Sequence, residues 1–487
     1  MSIGQEVAMV MLTPFFAAVV VGVTIKRWPW MRWLPFGLIS GLFLLCLDIY
    51  RRTLGQAVQP VSWFTLESIA SFYVQADPLA TYFSLIICGV GMMTLLYAAA
   101  SLPKGISPAS FFVAMLASLG SCLGIAFAGD LFTLYIFFEI LAVSSYLLVI
   151  LDGSVLAMRA GYRYLILSLM AGLSVLGASL LVHANIGTVA FADGPLITEA
   201  AAWTPLAFFL FLGGFGLKAG MFPLHIWLPD AHASAPAPAS AILSGILLKC
   251  GAIGLIRALY YVFTPETAGA GGGNAVLIGL AVASIVIGSL GALVRFELKR
   301  LLAYSSIGQM GYILLGIALQ HPLALTAALF HMSAHAILKS CLFLSAGTMI
   351  EASGKKDARD LDGLSTWLPV TSAAFSVAAL GMIGIPPLNG FISKYFLGLG
   401  ALEASMSWGL VVLLASSFLN VLYYSPILIR LYCKKREEPL TIKRETLQLT
   451  GVVVGLLALT CLLFGLGPLN APFSAATEAC LSLIGGH

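Results

Sequence analysis

Charge is what this sequence has least of. Asp, Glu, Lys and Arg together make up 9% of its 487 residues, against 60% hydrophobic residues and a mean hydropathy of +0.99. A chain so poor in charge cannot present the surface of a water-soluble globular domain. No GxxxxGK[ST] stretch occurs and the basic residues are not interleaved with aromatics, which excludes a phosphate cradle and a nucleic-acid surface. The eight cysteines stand singly, with no CxxC and no Cys/His cluster, so there is no pattern for a disulfide framework, a zinc site or an iron–sulfur cluster. No cofactor, no metal and no nucleic-acid partner are therefore expected. The net charge of +4 carries little meaning, because in a membrane protein the position of each charge matters more than the sum.

What the chain has instead is one apolar run after another. Runs of spanning length recur at about 7–25, 33–50, 79–100, 108–128, 130–151, 159–183, 203–233, 239–263, 275–294, 300–319, 323–347, 367–403, 406–432 and 446–467. A hydrocarbon core about 30 Å thick takes about 20 helical residues, so the expected fold is an all-α polytopic membrane protein with fourteen transmembrane helices. The first run has no basic residue before it and Lys26, Arg27 and Arg32 after it, which reads as a retained helix with its N-terminus outside, not as a signal peptide. From that start, loops after odd-numbered spans hold sixteen Lys/Arg and loops after even-numbered spans hold two, Arg51 and Arg52. The asymmetry supports the count and places both termini outside.

Seven basic residues are left inside spans: Arg163, Lys218, Lys249, Arg257, Lys339, Lys394 and Arg430. A lysine at the bilayer centre costs roughly 2.5–3.5 kcal/mol on insertion scales, so each needs a partner, a cavity or a pathway. The central stretch is FLGGFGLKAGMFPLHIWLPDAHASAPAPAS, Phe211 to Ser240, where Lys218 is followed at once by Gly220 and Pro223. A second stretch, MIGIPPLNGFISKYF, sets Pro386, Pro387, Asn389 and Gly390 before Lys394. Both runs are too long for one straight helix, so spans seven and twelve read as broken helices whose freed backbone groups only protein or water can satisfy. Breaks five spans apart point to two related five-helix bundles, the second inverted relative to the first. The chain then divides into N-terminal helices at 1–105, a first bundle at 106–265, a second at 270–435, and a last helix with its tail at 436–487. The repeat is incomplete. A shift of 176 residues (394 minus 218) carries Glu139 onto Leu315 and Lys249 onto Ser425.

Glu139, about ten residues into span five, is expected to pair with Lys218, either as a contact whose opening and closing tunes the lysine's proton affinity or as a static packing pair. Lys249 lies about ten residues into span eight with no acid near it in sequence, which suits an amine that passes protons; a water-filled pocket without transport is the other reading. His331, His335 and Lys339, spaced i, i+4, i+8, share one face of span eleven and read as a proton relay or as satisfied core residues. Lys339 could also snorkel, and the two histidines have no third ligand in view for a metal. Lys394, with Glu403 nine residues on, reads as a terminal site or an anchor. Arg163, Arg257 and Arg430 near span ends read as snorkelling. His225, Asp230 and His232 flank the first break, where they would bind freed backbone groups or form a proton inlet.

The stretch LKAGMFPLHIWLPDAHASAPAPASAILSGILLK, together with LLAYSSIGQMGYILLGIAL, FHMSAHAILKSCLFLSAG and GIPPLNGFISKYF, resembles the antiporter-like subunits shared by respiratory complex I, energy-converting membrane-bound hydrogenases and Mrp-type cation/proton antiporters. Within that group it is most similar to the D-type members of Mrp antiporters and to the hydrogenase-type members. The resemblance runs from about span three to span thirteen. It implies fourteen core helices in two inverted five-helix bundles and a line of charged residues across the membrane centre. In that line Glu139 takes the place of the family's glutamate in helix five, Lys218 its partner lysine in helix seven and Lys249 the central lysine of helix eight. His331 and His335 fall in the histidine region of helix eleven, and Lys394 at the lysine-or-glutamate position of helix twelve. Arg163 stands where many members carry a lysine. The implied role is a proton-translocating, non-redox subunit in a prokaryotic cytoplasmic membrane. Its partners would be other membrane subunits of a complex I-like, hydrogenase or Mrp assembly, lipid, protons and, in the Mrp case, sodium. From the residues alone, a free-standing transporter of a small solute and a proton-inert scaffold subunit are the alternatives.

Overall fold

In a chain this apolar, the few polar residues mark where helices begin. Ser or Asp stands directly before five of the first six helices (Ser2, Asp77, Ser107, Asp130 and Ser154), and each accepts a hydrogen bond from a backbone N–H of the first turn. These helices are α1 (Ile3–Thr24), α2 (Leu34–Thr53), α3 (Pro78–Ala100), α4 (Pro108–Ala126), α5 (Leu131–Val149) and α6 (Val155–Ile186). Between α2 and α3 lies a short antiparallel hairpin of β1 (Val61–Leu66) and β2 (Ala70–Val74). The computed structural model describes residues 2–54, 60–66, 70–103, 105–191, 194–435, 444–466 and 471–485. Lys104, Arg436 and Lys443, three of the sixteen basic loop residues, lie outside them.

The chain continues through α7 (Thr204–Ala219), α8 (Leu228–Ser234) and α9 (Ala237–Ile242). A π-helical turn, Leu243–Leu247, joins α9 to α10 (Leu248–Arg257), and a second, Ala258–Val262, follows. The remaining helices are α11 (Pro265–Gly269), α12 (Gly273–Leu293), α13 (Leu298–Ala318), α14 (Pro322–Ser353), α15 (Pro369–Ile383), α16 (Asn389–Glu403), α17 (Ser407–Cys433), α18 (Arg444–Leu463) and α19 (Ala471–Ile484). Among the described residues, twelve helical segments are long and apolar enough to cross a membrane, which makes this a polytopic membrane protein. Two expected spans fall outside that twelve for simple reasons. The run 367–403 is carried by two helices of 15 residues each, α15 and α16, and the last run by α18, whose apolar part is Gln448–Leu463. The short apolar helix α19 has no counterpart among the expected spans.

The centre of the molecule is α14 with the α9–α10 segment and α13. The first two are buried along their whole apolar length, whereas α1, α2, α6 and α17 expose most of theirs. Loops that follow odd-numbered spans meet at one end of the bundle. There a recess of about 160 Å³ is lined from five separate loops, by Ile106, Asp152, Ala235, Lys299, Ile350 and Lys356 among others. Loops that follow even-numbered spans meet at the other end, tied by bridges from Val74 to Ala128, Asp130 to Ala190 and Ile197 to Phe263. Alternation of loops between two ends is what helices crossing in turn require.

Candidate functional site

Helix α7 stops at Ala219 because Gly220 takes a left-handed conformation (φ 71°), and Pro223 and Pro229 keep the chain from resuming a regular helix before α8. Protein donors take up the carbonyls freed at this end. Gly220 N bonds Leu217 O at 3.1 Å, Met221 N bonds Gly216 O at 2.9 Å, and the Trp227 Nε1 bonds Leu217 O at 3.0 Å. Lys218, 1% exposed, turns away from the break toward α6 and α5. Its Nζ donates to the Tyr164 hydroxyl at 2.7 Å, which stands 2.6 Å from Ser145 Oγ. The rings of Tyr164 and Phe138 lie 5.0 and 5.6 Å from the amine, where their π faces attract a cation.

The expected ion pair of Glu139 with Lys218 is absent. Among the described residues, none of the ion pairs involves Lys218, Lys249, Lys339 or Lys394. Glu139 is half-buried and lies against α6 so closely that a Cβ at Gly172 would fall on its Oε1, an atom with no hydrogen-bond partner. Ile136, Ile140 and Val143, one turn to either side, are exposed. The carboxylate therefore sits half-buried at the α5–α6 surface, within electrostatic reach of Lys218 but not in contact with it, while the Lys218 amine bonds Tyr164.

Lys249 is fully buried at the centre. The π-helical turn beside it displaces the backbone register, and its Nζ donates to Ser244 O at 2.6 Å. The same amine stands 2.6 Å from His335 Nδ1, so α10 and α14 are joined through an amine–imidazole contact. The i, i+4 spacing stacks His335 on His331, with ring centroids 6.0 Å apart and planes 18° from parallel. His331 Nδ1 lies 2.8 Å from Ser393 Oγ on α16, next in sequence to Lys394, and the Tyr312 ring bridges His331 (5.6 Å) and the Lys394 amine (5.1 Å). Lys394 Nζ donates to Met382 O at 2.6 Å, Ile383 O at 3.1 Å and Ser417 Oγ at 3.2 Å. Lys339 is buried too, donating to Leu302 O at 2.8 Å and Ser305 Oγ at 2.7 Å; Ser305 in turn meets the Tyr424 hydroxyl at 2.9 Å. Its position at full burial rules out snorkelling.

These groups fall into an interrupted string: Lys249 bonds His335 and His331 bonds Ser393, the two imidazoles are stacked with both Nε2 atoms unbonded, and Lys394 lies one residue beyond Ser393 across the Tyr312 ring, with Lys339 bonded apart on the same helix as the imidazoles. Lys218 forms a separate string with Tyr164 and Ser145. Nothing in the sequence flagged Tyr164, Ser145, Ser393 or Ser417, since a hydroxyl inside an apolar run is ordinary in a membrane helix.

Of the three arginines expected to snorkel, Arg257 departs from that expectation, while Arg163 and Arg430 reach the odd-loop end as expected. Arg257 is fully buried at the even-loop end, paired with Asp77, which also accepts from the Tyr261 hydroxyl at 2.7 Å. Its guanidinium donates further to Ala126 O at 3.2 Å, so the first and last helices of the first bundle are tied to α3. At the odd-loop end Asp230 bridges Arg163 at 3.0 Å and Arg300 at 2.7 Å. Arg430 bonds Asp362 at 3.1 Å and Arg359 O at 2.8 Å. His232 is buried, stacked 4.7 Å from Phe343 with neither ring nitrogen bonded, and His225 stacks on Phe222 at 5.7 Å.

Residues 128–421, more than half of the chain, match the family described as NADH:quinone oxidoreductase/Mrp antiporter, transmembrane. The N subunit of the NADH-quinone oxidoreductase of Desulforudis audaxviator is 37% identical over 74% of this chain and 73% of its own length. The D subunit of the Na+/H+ antiporter of Alkalihalophilus pseudofirmus is 29% identical over 75% of this chain and 73% of its own. A chain of the membrane-bound sulfane sulfur reductase, an archaeal respiratory membrane complex, superposes with a TM-score of 0.88 at 25% identity, covering 99% of this chain and 98% of that one. The matched segment holds every buried lysine and histidine of the two strings, and the chain belongs to the NADH:quinone oxidoreductase/Mrp antiporter transmembrane family.

Proposed function

We propose that this chain is a proton-translocating, antiporter-like membrane subunit of a multisubunit complex, with the buried amines and imidazoles as its proton-carrying groups. The observation that carries the reading is the alignment of the Lys249–His335 and His331–Ser393 contacts inside the bundle, with half-buried Lys394 next along α16 and no ion pair among them. Amine, imidazole and hydroxyl each accept and release a proton within each bonded pair, and water would bridge the stacked imidazoles and the step to Lys394, where no direct hydrogen bond joins them. Lys218, Tyr164 and Ser145 form the corresponding group in the first bundle, and water joins the two strings. Glu139 at the α5–α6 surface would be the meeting point with a neighbouring membrane subunit, because a carboxylate beside exposed Ile136, Ile140 and Val143 is untenable against lipid.

In full the proposed architecture has fourteen crossings, counting α7 with α8 and α15 with α16 as two interrupted helices, arranged in two inverted five-helix bundles. The odd-loop end, rich in basic residues, would face the cytoplasm of a prokaryotic inner membrane, with both termini outside. The energy source is a redox module in the manner of the complex I relative or sodium exchange in the manner of the antiporter relative.

Replacing Lys218 by Ala tests the reading. The variant should insert and assemble with its partners yet move no protons into vesicles; proton movement at the wild-type rate in a correctly assembled variant would refute the role.

A further inference from the structure

At the end of α15 two freed carbonyls are taken by one lysine side chain. Met382 and Ile383 close the helix, and the chain turns at Gly384 (φ +96°), so their carbonyls have no N–H further along to bond. Aligned peptide dipoles add partial negative charge at the same place. The Lys394 ammonium sits on these two carbonyls and on Ser417 Oγ, three acceptors for its three donors. Asn420 of α17 completes the wall, its Nδ2 donating to Met382 O at 3.0 Å and its Oδ1 accepting from the Tyr423 hydroxyl at 2.6 Å. The Tyr312 ring closes the side toward α13, and its buried hydroxyl has no hydrogen-bond partner, with Ser416, Ser417 and Asn420 as the polar side chains around it.

We propose that this cage is an alkali-cation site in which Na+ and the Lys394 ammonium are alternative occupants. The cage already holds one positive charge, on neutral oxygens only. Such a set suits a monovalent ion; a divalent one takes carboxylates, and none is here. Exchange of the ammonium for Na+ replaces one positive charge by another in this half-buried cage. Asn420 can turn its amide end for end and present Oδ1 in place of Nδ2, adding a fourth oxygen. The lysine reaches the cage across Gly384, where a Cβ would come within 3.1 Å of its Cδ, so withdrawing the side chain leaves the oxygens where they are. At the first break the lysine does not turn back onto the helix end; Lys218 Nζ donates to Tyr164 instead. Helix ends with free carbonyls are how several transporters hold Na+ near the midplane.

The site deepens the reading of Lys394 as the terminal amine and rests on it only for its consequence in transport. Its test needs no turnover, so a failure of the site and a failure of proton translocation come apart. Equilibrium binding of radiolabelled Na+ to the purified full chain, with choline replacing other cations, is compared between wild type and Lys394→Ala. Removing the tethered competitor should tighten Na+ binding by about tenfold or more at the same pH. Adding Ser417→Ala to Lys394→Ala should reverse most of that gain. Equal binding by wild type and Lys394→Ala, or a gain that survives Ser417→Ala, would overturn the proposal. Should Lys394→Ala not fold, Lys394→Ser removes the same amine and serves in its place.

Discussion

The two interrupted stretches carry the same ingredients, a glycine in the left-handed region, prolines and a lysine, and use them in opposite ways. In both, backbone N–H groups of the turn close on carbonyls of the last helical turn, Gly216 and Leu217 in the first and Leu380 in the second. In the first, Lys218 precedes Gly220 and points out of the break toward Tyr164; in the second, Lys394 follows Gly384 by ten residues and reaches back over it to the carbonyls of Met382 and Ile383. Lys218 has a single hydroxyl acceptor and two aromatic faces; Lys394 has three oxygens. A break near a lysine is therefore a position in the chain, and the chemistry is decided by which side of the break the lysine stands on.

The comparison can be broken or sharpened by substitution. The largest effect is expected at the link between the two bundles. His335→Leu cuts the contact between Lys249 and His331, and proton movement by the assembled complex should fall by roughly a hundredfold or more, the scale of losing a proton-transfer group. Tyr164→Phe takes away Lys218's one acceptor and should slow proton movement by about tenfold, equivalent to about 1.4 kcal/mol, while the corresponding loss of one acceptor in Ser417→Ala should do less because Met382 and Ile383 remain. Gly384→Ala and Gly220→Ala both force a left-handed residue, at a cost of roughly 1–2 kcal/mol each. Only the former also pushes a Cβ to 3.1 Å from Lys394 Cδ, the nearest atom at Gly220 being 3.6 Å away, so Gly384→Ala should lower the thermal midpoint further. Smallest, Trp227→Phe removes the indole bond to Leu217 O and should cost about 1 kcal/mol in unfolding assays with little change in transport.

Much of this was legible in the residues. Apolar run length and basic-residue bias located the helices, and His331, His335 and Lys339 at i, i+4, i+8 do share a buried face of α14. The histidines' partners were not legible, because Lys249 is 86 residues from His335 and Ser393 is 62 from His331, and helix-to-helix contacts have no local signature. Arg257 misled for the same reason. Near a span end it resembles a snorkelling residue, yet its partner Asp77 lies 180 residues earlier, and the pair is deeply buried. Glu139 and Lys218 look like natural partners by depth; the two charges interact electrostatically but do not come within ion-pair distance, and Lys218 bonds Tyr164 instead. The hairpin β1–β2 and helix α19 escaped notice because both are shorter than the roughly 20 residues by which a span is recognised.

The most direct test of the account is proton uptake by vesicles holding the assembled complex with Lys249→Met, followed with a pH-sensitive dye under the complex's own driving reaction. Lys249 is the fully buried amine bonded to His335 at the centre of the molecule, and methionine keeps its volume without a titratable group. Uptake falling to the leak of empty vesicles, with assembly intact, is the predicted result; uptake at the wild-type rate would contradict the claim that the buried string conducts protons.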